Sequence, residues 1–237
     1  MKKPPLIPSL IVLAFIVLMT NLGFWQLKRA HEKEDLLVLL AEDKITPIQQ
    51  AEQIKNLPQY ANIKLKGHFL ESPQLLLDNQ IDDQRIGYHV FTPFLIDEIN
   101  LFIMVNRGWL AKDGFDVRSV IVNPITDTLF GKLNYSPQVG IQLGEIELDS
   151  KKAVQIMTYF DREKVSRFLH ESLCKNLSCI VSNRVLLLDK GQKQGFKREW
   201  KPIVMPPAKH IGYAVQWFLM TIVLIAIFIY WVSKLED

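Results

Sequence analysis

The sequence predicts a membrane protein of the α+β class, in which two transmembrane helices flank a β-rich domain built as an antiparallel sheet or small barrel with one or two helices. Two observations lead to this prediction. Residues 4–27 and 211–233 contain no Asp, Glu, Lys, Arg or His, and each run exceeds the about 20 apolar residues needed to span a bilayer. The segment between them is long enough for one folded domain and carries short apolar runs of strand period separated by turn residues.

The two apolar runs divide the chain of 237 residues into four parts. These are residues 1–27 (an N-terminal tail and the first transmembrane helix), 28–210 (the β-rich domain), 211–233 (the second transmembrane helix) and 234–237 (a C-terminal tail). The formal net charge of +3 is too small to indicate a nucleic-acid binder, and two cysteines are too few for a disulfide-rich scaffold. Membrane lipid is the expected surrounding of the two helices.

The first apolar run is interpreted as an uncleaved anchor rather than a secretory signal. Lys2 and Lys3 precede it, but it is longer than a typical signal core and leads into residues 23–29 (GFWQLKR) without a small-x-small cleavage pattern. The second run has aromatic residues at both ends, where amphipathic rings favour lipid headgroups. Two spans place both termini on one side and the middle domain on the other. The Lys and Arg distribution leaves the side undecided, because long domains translocate largely regardless of charge.

Between the anchors the hydrophobic period changes from helix to strand. Residues 29–42 continue the first span as a helix, and residues 47–55 are predicted to form a second, short helix. Residues 63–69 alternate between apolar and polar side chains, which is typical of a half-buried strand. A later helix is predicted at residues 161–173, with Asp161 as its N-cap. Further strands are predicted at residues 75–78, 87–96, 101–105, 128–134, 153–158 and 184–188.

No enzymatic motif is found in the sequence, so we expect a protein that is not an enzyme. It contains no Gly-x-Ser-x-Gly motif, no phosphate-binding glycine loop and no His-Glu-x-x-His pair. Cys174 and Cys179 either close a small disulfide loop in an oxidising compartment or remain two unpaired thiols. A copper site made from these two cysteines alone would be unusual, since a soft metal normally recruits further ligands.

His210 lies at the first turn of the second span, where an imidazole needs a partner. On a helix, His210, Tyr213 and Trp217 share one face and offer an iron ligand beside two aromatic surfaces, which suits the apolar macrocycle of a haem. Trp25 and Arg29, at the same depth on the first span, are predicted to form the opposite wall. The alternative is an ordinary interfacial histidine, and the residues alone favour it, because aromatic belts are common at membrane boundaries.

Residues 106–109 (NRGW) are given a structural interpretation. They are predicted to close the strand at residues 101–105, with Gly108 permitting a turn. Arg107 is expected to pair with a carboxylate such as Asp78.

Five motifs, in the expected order, resemble the surfeit locus protein family of cytochrome c oxidase assembly factors. Residues 22–29 (LGFWQLKR) are similar to the family's Gly-x-Trp-Gln-x-x-Arg exit from the first span, and residues 67–69 (GHF) to its Gly-x-Phe strand. Residues 87–94 (GYHVFTPF) and 105–109 (VNRGW) are similar to its Gly-Tyr-x-Val-x-Thr-Pro-Phe and Val-Asn-Arg-Gly signatures. Residues 210–218 (HIGYAVQWF) resemble its His-Leu-x-Tyr-x-x-x-Trp-Tyr entry into the second span.

The resemblance implies a specific function. Family members are membrane proteins of bacteria and mitochondria that place the middle domain in the periplasm or intermembrane space. They help to insert haem a into the catalytic subunit of the oxidase, and work beside other assembly factors. The resemblance makes His210 the implied ligand of a transiently bound haem a, which reverses the preference drawn from the residues alone. One alternative stays open, a cofactor-free scaffold that stabilises an oxidase assembly intermediate.

Overall fold

The structure, a computed structural model, describes residues 5–41, 44–122, 126–137, 144–174, 179–200 and 205–234. The chain separates into two compact units, which are described one at a time. One unit combines the two terminal segments, Met1–Ala41 and Lys201–Asp237. The other unit is Glu42–Trp200.

The terminal unit is a pair of long helices, α1 (Leu6–Ala41) and α4 (Pro207–Lys234). Both are long and apolar enough to cross a membrane. Helix α1 continues without a break beyond the apolar run through Ala41, as predicted for residues 29–42, of which residue 42 lies outside the described residues.

The two helices run antiparallel and meet along a stripe with the spacing of a coiled coil. Buried and half-buried side chains recur at alternating intervals of three and four residues, the repeat that keeps one seam facing a partner helix. The stripe comprises Ser9, Val12, Ile16, Met19, Gly23, Gln26 and Ala30 on α1, and Pro207, His210, Ala214, Trp217, Thr221, Leu224, Phe228 and Trp231 on α4. Small residues within it let the helix backbones approach, as is common between transmembrane helices. Most of the remaining apolar side chains are exposed.

The middle unit contains eight strands and two α-helices among its described residues. The strands are β1 (Ile45–Pro47), β2 (Asn62–Phe69), β3 (Gln74–Asp82), β4 (Arg85–Ile96), β5 (Leu101–Ala111), β6 (Thr126–Tyr135), β7 (Val154–Met157) and β8 (Ile180–Leu188). The helices are α2 (Ala51–Asn56) and α3 (Arg162–Leu173). The predicted N-cap of α3 is confirmed, because the Asp161 carboxylate accepts from the backbone N–H groups of Glu163 and Lys164 at 3.0 Å.

Five strands close into a small barrel, in the order β2, β6, β8, β5, β4 and back to β2. Neighbouring strands are antiparallel except β5 and β8, which are parallel. Strand β3 extends the barrel wall beside β4, and β1 and β7 add parallel strands at the two edges. The predicted fold class is therefore confirmed in its barrel form.

Gly67 allows the barrel to close. At this residue β2 pairs with β6 on one side and with β4 on the other. A Cβ atom on Gly67 would lie 1.9 Å from the carbonyl oxygen of Leu95, so any larger residue would push β4 away. The core inside the barrel consists of fully buried apolar side chains, which include Ile63, Leu65, Phe69, Phe94, Ile103, Leu129, Leu133 and Leu186.

Two predicted boundaries are wrong. Residues 47–55 are not one helix, because Ile45–Pro47 pair with β2 as a strand and α2 begins only at Ala51. The strand predicted at 101–105 does not end at residues 106–109 but runs to Ala111. Gly108, with φ of 112°, lets the backbone continue through an irregularity in the β4–β5 ladder instead of turning.

Candidate functional site

The first turn of α4 places His210 in the stripe that faces α1, and the side chain is only 7% exposed. The stripe of α1 presents Gln26 to it. The Nδ1 atom of His210 lies 2.8 Å from the Oε1 atom of Gln26, which is a good hydrogen bond. An imidazole and an amide that both belong to apolar helices thus satisfy each other.

With its amide oxygen toward the ring, Gln26 favours a proton on Nδ1 of His210. An amide oxygen only accepts, so in the tautomer that fits this contact Nδ1 is the donor and the lone pair lies on Nε2. The Nε2 atom is buried and has no hydrogen-bond partner among the described residues. A buried imidazole nitrogen with an unused lone pair is a suitable ligand for a transition metal.

The other predicted site residues lie on the same two helices but are not all turned toward the pair. Trp217 is half-buried in the α4 stripe, two turns beyond His210. Tyr213 is 44% exposed and Trp25 is 52% exposed, so both present ring surface to the outside of the helix pair. Arg29 forms an ion pair with Glu32, with 2.6 Å between Nη1 and Oε2.

Sequence reasoning missed Gln26 as the partner of His210. Two features of the sequence point to Gln26. It is a polar amide within an apolar run, and it lies three residues after Gly23 and four before Ala30, two small residues with coiled-coil spacing.

Close packing holds α1 and α4 together next to this pair. Gly23 is buried, and a Cβ atom there would lie 2.6 Å from the ring of Phe218. The same ring contacts Phe24 edge-on, with 5.4 Å between ring centroids. Ala214, one turn beyond His210, is fully buried. The separation of the two backbones is therefore fixed where Gln26 and His210 meet.

In the barrel unit, the predicted pairing of Arg107 with Asp78 is wrong. Asp78 pairs instead with Lys112, at 2.9 Å. Arg107 is 5% exposed and donates to backbone carbonyls, from Nε to Gln194 and from Nη1 to Val120, both at 2.7 Å. Arg107 therefore has a structural role, because each of these hydrogen bonds connects strand β5 to a different loop.

The environment of Arg107 explains the pKa and the charge of its guanidinium. Its guanidinium lies 4.9 Å from the ring centroid of Phe196, and no ion pair formed by the described residues includes it. Burial, followed by the neighbouring charge of Arg198, lowers the pKa of Arg107 to about 10. The group stays cationic at neutral pH, stabilised by carbonyl dipoles and an aromatic face.

Cys174 and Cys179 form a disulfide, with 5.8 Å between their Cα atoms, a spacing typical of such bonds. Of the two possibilities left open by the sequence, the structure has the paired one. Within the described ranges, no group of three or more His, Cys, Asp or Glu side chains is placed to hold a metal ion.

Comparison with known proteins gives one family. A sequence model of the SURF1 family matches residues 13–222. This match confirms the resemblance derived from the five motifs.

Individual relatives share modest identity. A SURF1-like protein of Rickettsia prowazekii is 24% identical over 93% of this chain and 88% of its own length. One from Rickettsia bellii is 30% identical over 52% of both chains. The cytochrome oxidase assembly protein SHY1 of Saccharomyces cerevisiae is 26% identical over 44% of this chain and 28% of its own. The chain thus spans about half of the Rickettsia bellii relative and a smaller part of the yeast one.

Proposed function

This chain belongs to the SURF1 family, and from that membership we propose that it is a non-enzymatic assembly factor for haem-copper cytochrome c oxidase. It binds haem a at His210 as cargo and assists its insertion into the catalytic subunit, beside other assembly factors. The name of the yeast relative, a cytochrome oxidase assembly protein, supports the general role. The haem-binding step is supported by the helix pair.

The observation that carries this proposal is the buried Nε2 atom of His210, which has no hydrogen-bond partner among the described residues while Nδ1 is held by Gln26. Leaving a buried polar atom unpaired costs about 1–3 kcal/mol, so such an atom requires an explanation. Coordination of iron by Nε2 supplies one. Haem fits because its macrocycle provides four nitrogen ligands, so that a single imidazole from the protein is sufficient.

The surroundings of His210 suit a carrier that must release its cargo. His210 would be the one ligand that this chain supplies, so release of the haem would require only one protein–iron bond to break. Trp217 is half-buried in the same stripe and would offer aromatic surface to the apolar macrocycle, whereas Tyr213 and Trp25, which face outward, and Arg29, which pairs with Glu32, would have to turn toward it. In this proposal the four side chains add contact area but no second ligand, which keeps affinity modest.

The proposed location is the inner membrane of a bacterium or mitochondrion, with the Glu42–Trp200 unit in the periplasm or intermembrane space. Two helices that are long and apolar enough to cross a membrane support the anchoring. The disulfide between Cys174 and Cys179 supports an oxidising compartment for the domain, because such bonds rarely persist in the cytosol.

Haem content of the full-length protein tests the proposal. We expect that protein purified in detergent from cells that make haem a shows haem absorbance, and that His210→Ala loses most of it while the protein stays folded. His31→Ala is the matched control, since the His31 side chain is 77% exposed on α1 and should not affect the haem.

Unchanged haem content in His210→Ala would remove His210 from the mechanism. If, in addition, oxidase from cells with this variant contains normal haem a, the scaffold alternative replaces the carrier. Changes to the domain surface should then abolish co-purification with oxidase subunits.

A further inference from the structure

We infer that Gln26 is a positioning residue that selects the tautomer of His210 and sets how strongly its imidazole holds iron. The inference rests on the proposed function and extends it to a residue of the other helix. Gln26 does not contact the iron. It acts through the hydrogen bond between its Oε1 atom and the Nδ1 atom of His210, at 2.8 Å.

The first step is the choice of tautomer. A neutral imidazole carries its proton on either ring nitrogen unless a hydrogen-bond partner favours one of the two tautomers. The Gln26 carbonyl oxygen requires a proton on Nδ1 and leaves Nε2 bare. Without it, the ring would populate the tautomer that has a proton on Nε2, which cannot bind a metal through that atom.

The second step is orientation. Gln26 and His210 each belong to the stripe by which α1 and α4 pack, and both backbones are held close by buried small residues, Gly23 and Ala30 on α1 and Ala214 on α4. The hydrogen bond therefore joins two rigid elements and fixes the plane of the imidazole. A ligand oriented in this way by a partner is the usual arrangement at metal sites, where loss of the partner costs about 10- to 100-fold in metal affinity.

The third step concerns the chemical type of the partner. A carboxylate at position 26 would accept a charge-assisted hydrogen bond about twice as strong, and would make the imidazole a more basic ligand. The amide of Gln26 is neutral, so it orients the ring while leaving its basicity low. A weaker donor suits a protein that must give up its haem.

The tautomer is measured without haem. We use the full-length protein in detergent, made in cells that lack haem a, with 15N-labelled histidine, and identify the His210 signals by their loss in His210→Ala. We expect Nδ1 protonated and Nε2 unprotonated in the wild type and in Gln26→Glu, and a mixture of tautomers in Gln26→Leu. Asn21→Leu is the matched control, since Asn21 is an exposed amide of the same helix that donates to the carbonyl of Val17.

Haem measurements complete the test. Gln26→Leu should bind haem a about 10- to 100-fold more weakly than the wild type, whereas Asn21→Leu should not differ from it. Gln26→Glu should retain haem and shift its reduction potential to more negative values, because a more basic imidazole favours oxidised iron.

The outcomes separate this inference from the proposed function. If His210→Ala keeps its haem, the proposed function fails, whatever the tautomer. If His210→Ala loses haem but Gln26→Leu matches Asn21→Leu in tautomer or in haem affinity, only the role of Gln26 is overturned. Should Gln26→Glu fail to fold, the comparison of Gln26→Leu with Asn21→Leu decides alone.

Discussion

In the barrel unit, the buried cation of Arg107 holds several backbone segments together. Arg107 reaches the carbonyls of Gln194 and Val120, while its own carbonyl accepts from the N–H of Phe196 at 2.7 Å. Its Nη1 also contacts the Thr92 hydroxyl at 3.3 Å. The planar guanidinium, with its five donors, is suited to binding several oxygens at once, and a lysine cannot reproduce that geometry.

Arg107→Ala should lower the free energy of unfolding by about 2–4 kcal/mol, because buried carbonyls lose their donor. Arg107→Lys should recover only part of this loss. Denaturant titration of the full-length protein in detergent, followed by tryptophan fluorescence, measures both. Arg118→Ala is the matched control, since the side chain is 87% exposed and pairs with Asp116 at the surface, and we expect a change within about 0.5 kcal/mol. Equal effects at the two arginines would contradict this account.

At this scale the sequence predicts which residues are unusual better than it predicts their partners. His210 was identified from its position in an apolar helix, but Gln26 was not, because their contact joins residues 184 apart in the chain. Arg107 was assigned a carboxylate, whereas its actual partners are main-chain carbonyls. Any residue supplies a carbonyl, so such partners leave no sequence signal.

Among the elements, the α1–α4 contact depends most on small residues. Helices in lipid gain little from apolar burial against each other, so close backbone packing provides much of the attraction. Gly23 lies directly against Phe218, and its missing side chain sets the distance between the helices.

Gly23→Leu should destabilise the helix pair by about 1–3 kcal/mol, because the added side chain overlaps the ring of Phe218. It should also reduce haem content, since it separates Gln26 from His210. Thermal melts and haem absorbance measure the two effects.

The control for this change is Gly212→Leu, where a Cβ atom meets nothing within 4 Å. In the double variant Gly23→Ala with Phe218→Leu, the smaller side chain should compensate for the added methyl group relative to Gly23→Ala alone. Strictly additive effects in this pair would argue against direct contact.

The alternating pattern of residues 63–69 predicts strand β2, which has one buried and one exposed face, whereas β5 is buried on both faces along most of its length. The pattern carries no information on strand order. The parallel pairing of β5 with β8, and the additional edge strands β1 and β7, depend on contacts between distant segments. The prediction of an antiparallel sheet or small barrel was correct in class, but only the tertiary structure gives the order.

For the molecule as a whole, the question is on which side of the membrane the barrel unit lies. Charge distribution leaves this undecided. The disulfide between Cys174 and Cys179 offers a direct test, since these are the two cysteines of the chain.

In intact cells, a membrane-impermeant maleimide should not label the wild type until an impermeant reductant is added, because the thiols are paired on the outer side. Cys174→Ser leaves Cys179 unpaired and should be labelled directly. Labelling of the wild type without reductant, but only after the cells are lysed, would place the domain in the cytosol. Mass spectrometry of the labelled peptide gives the readout.

The strand pairings that close the barrel differ in length. Of its five interstrand contacts, the one between β2 and β4 is the shortest, formed by Gly67–Phe69 against Phe94–Ile96. Separation of β2 from β4 breaks the fewest interstrand hydrogen bonds. It opens the barrel into a curved sheet in which every other strand pairing is kept. We therefore expect thermal opening of the domain to start at this contact between β2 and β4.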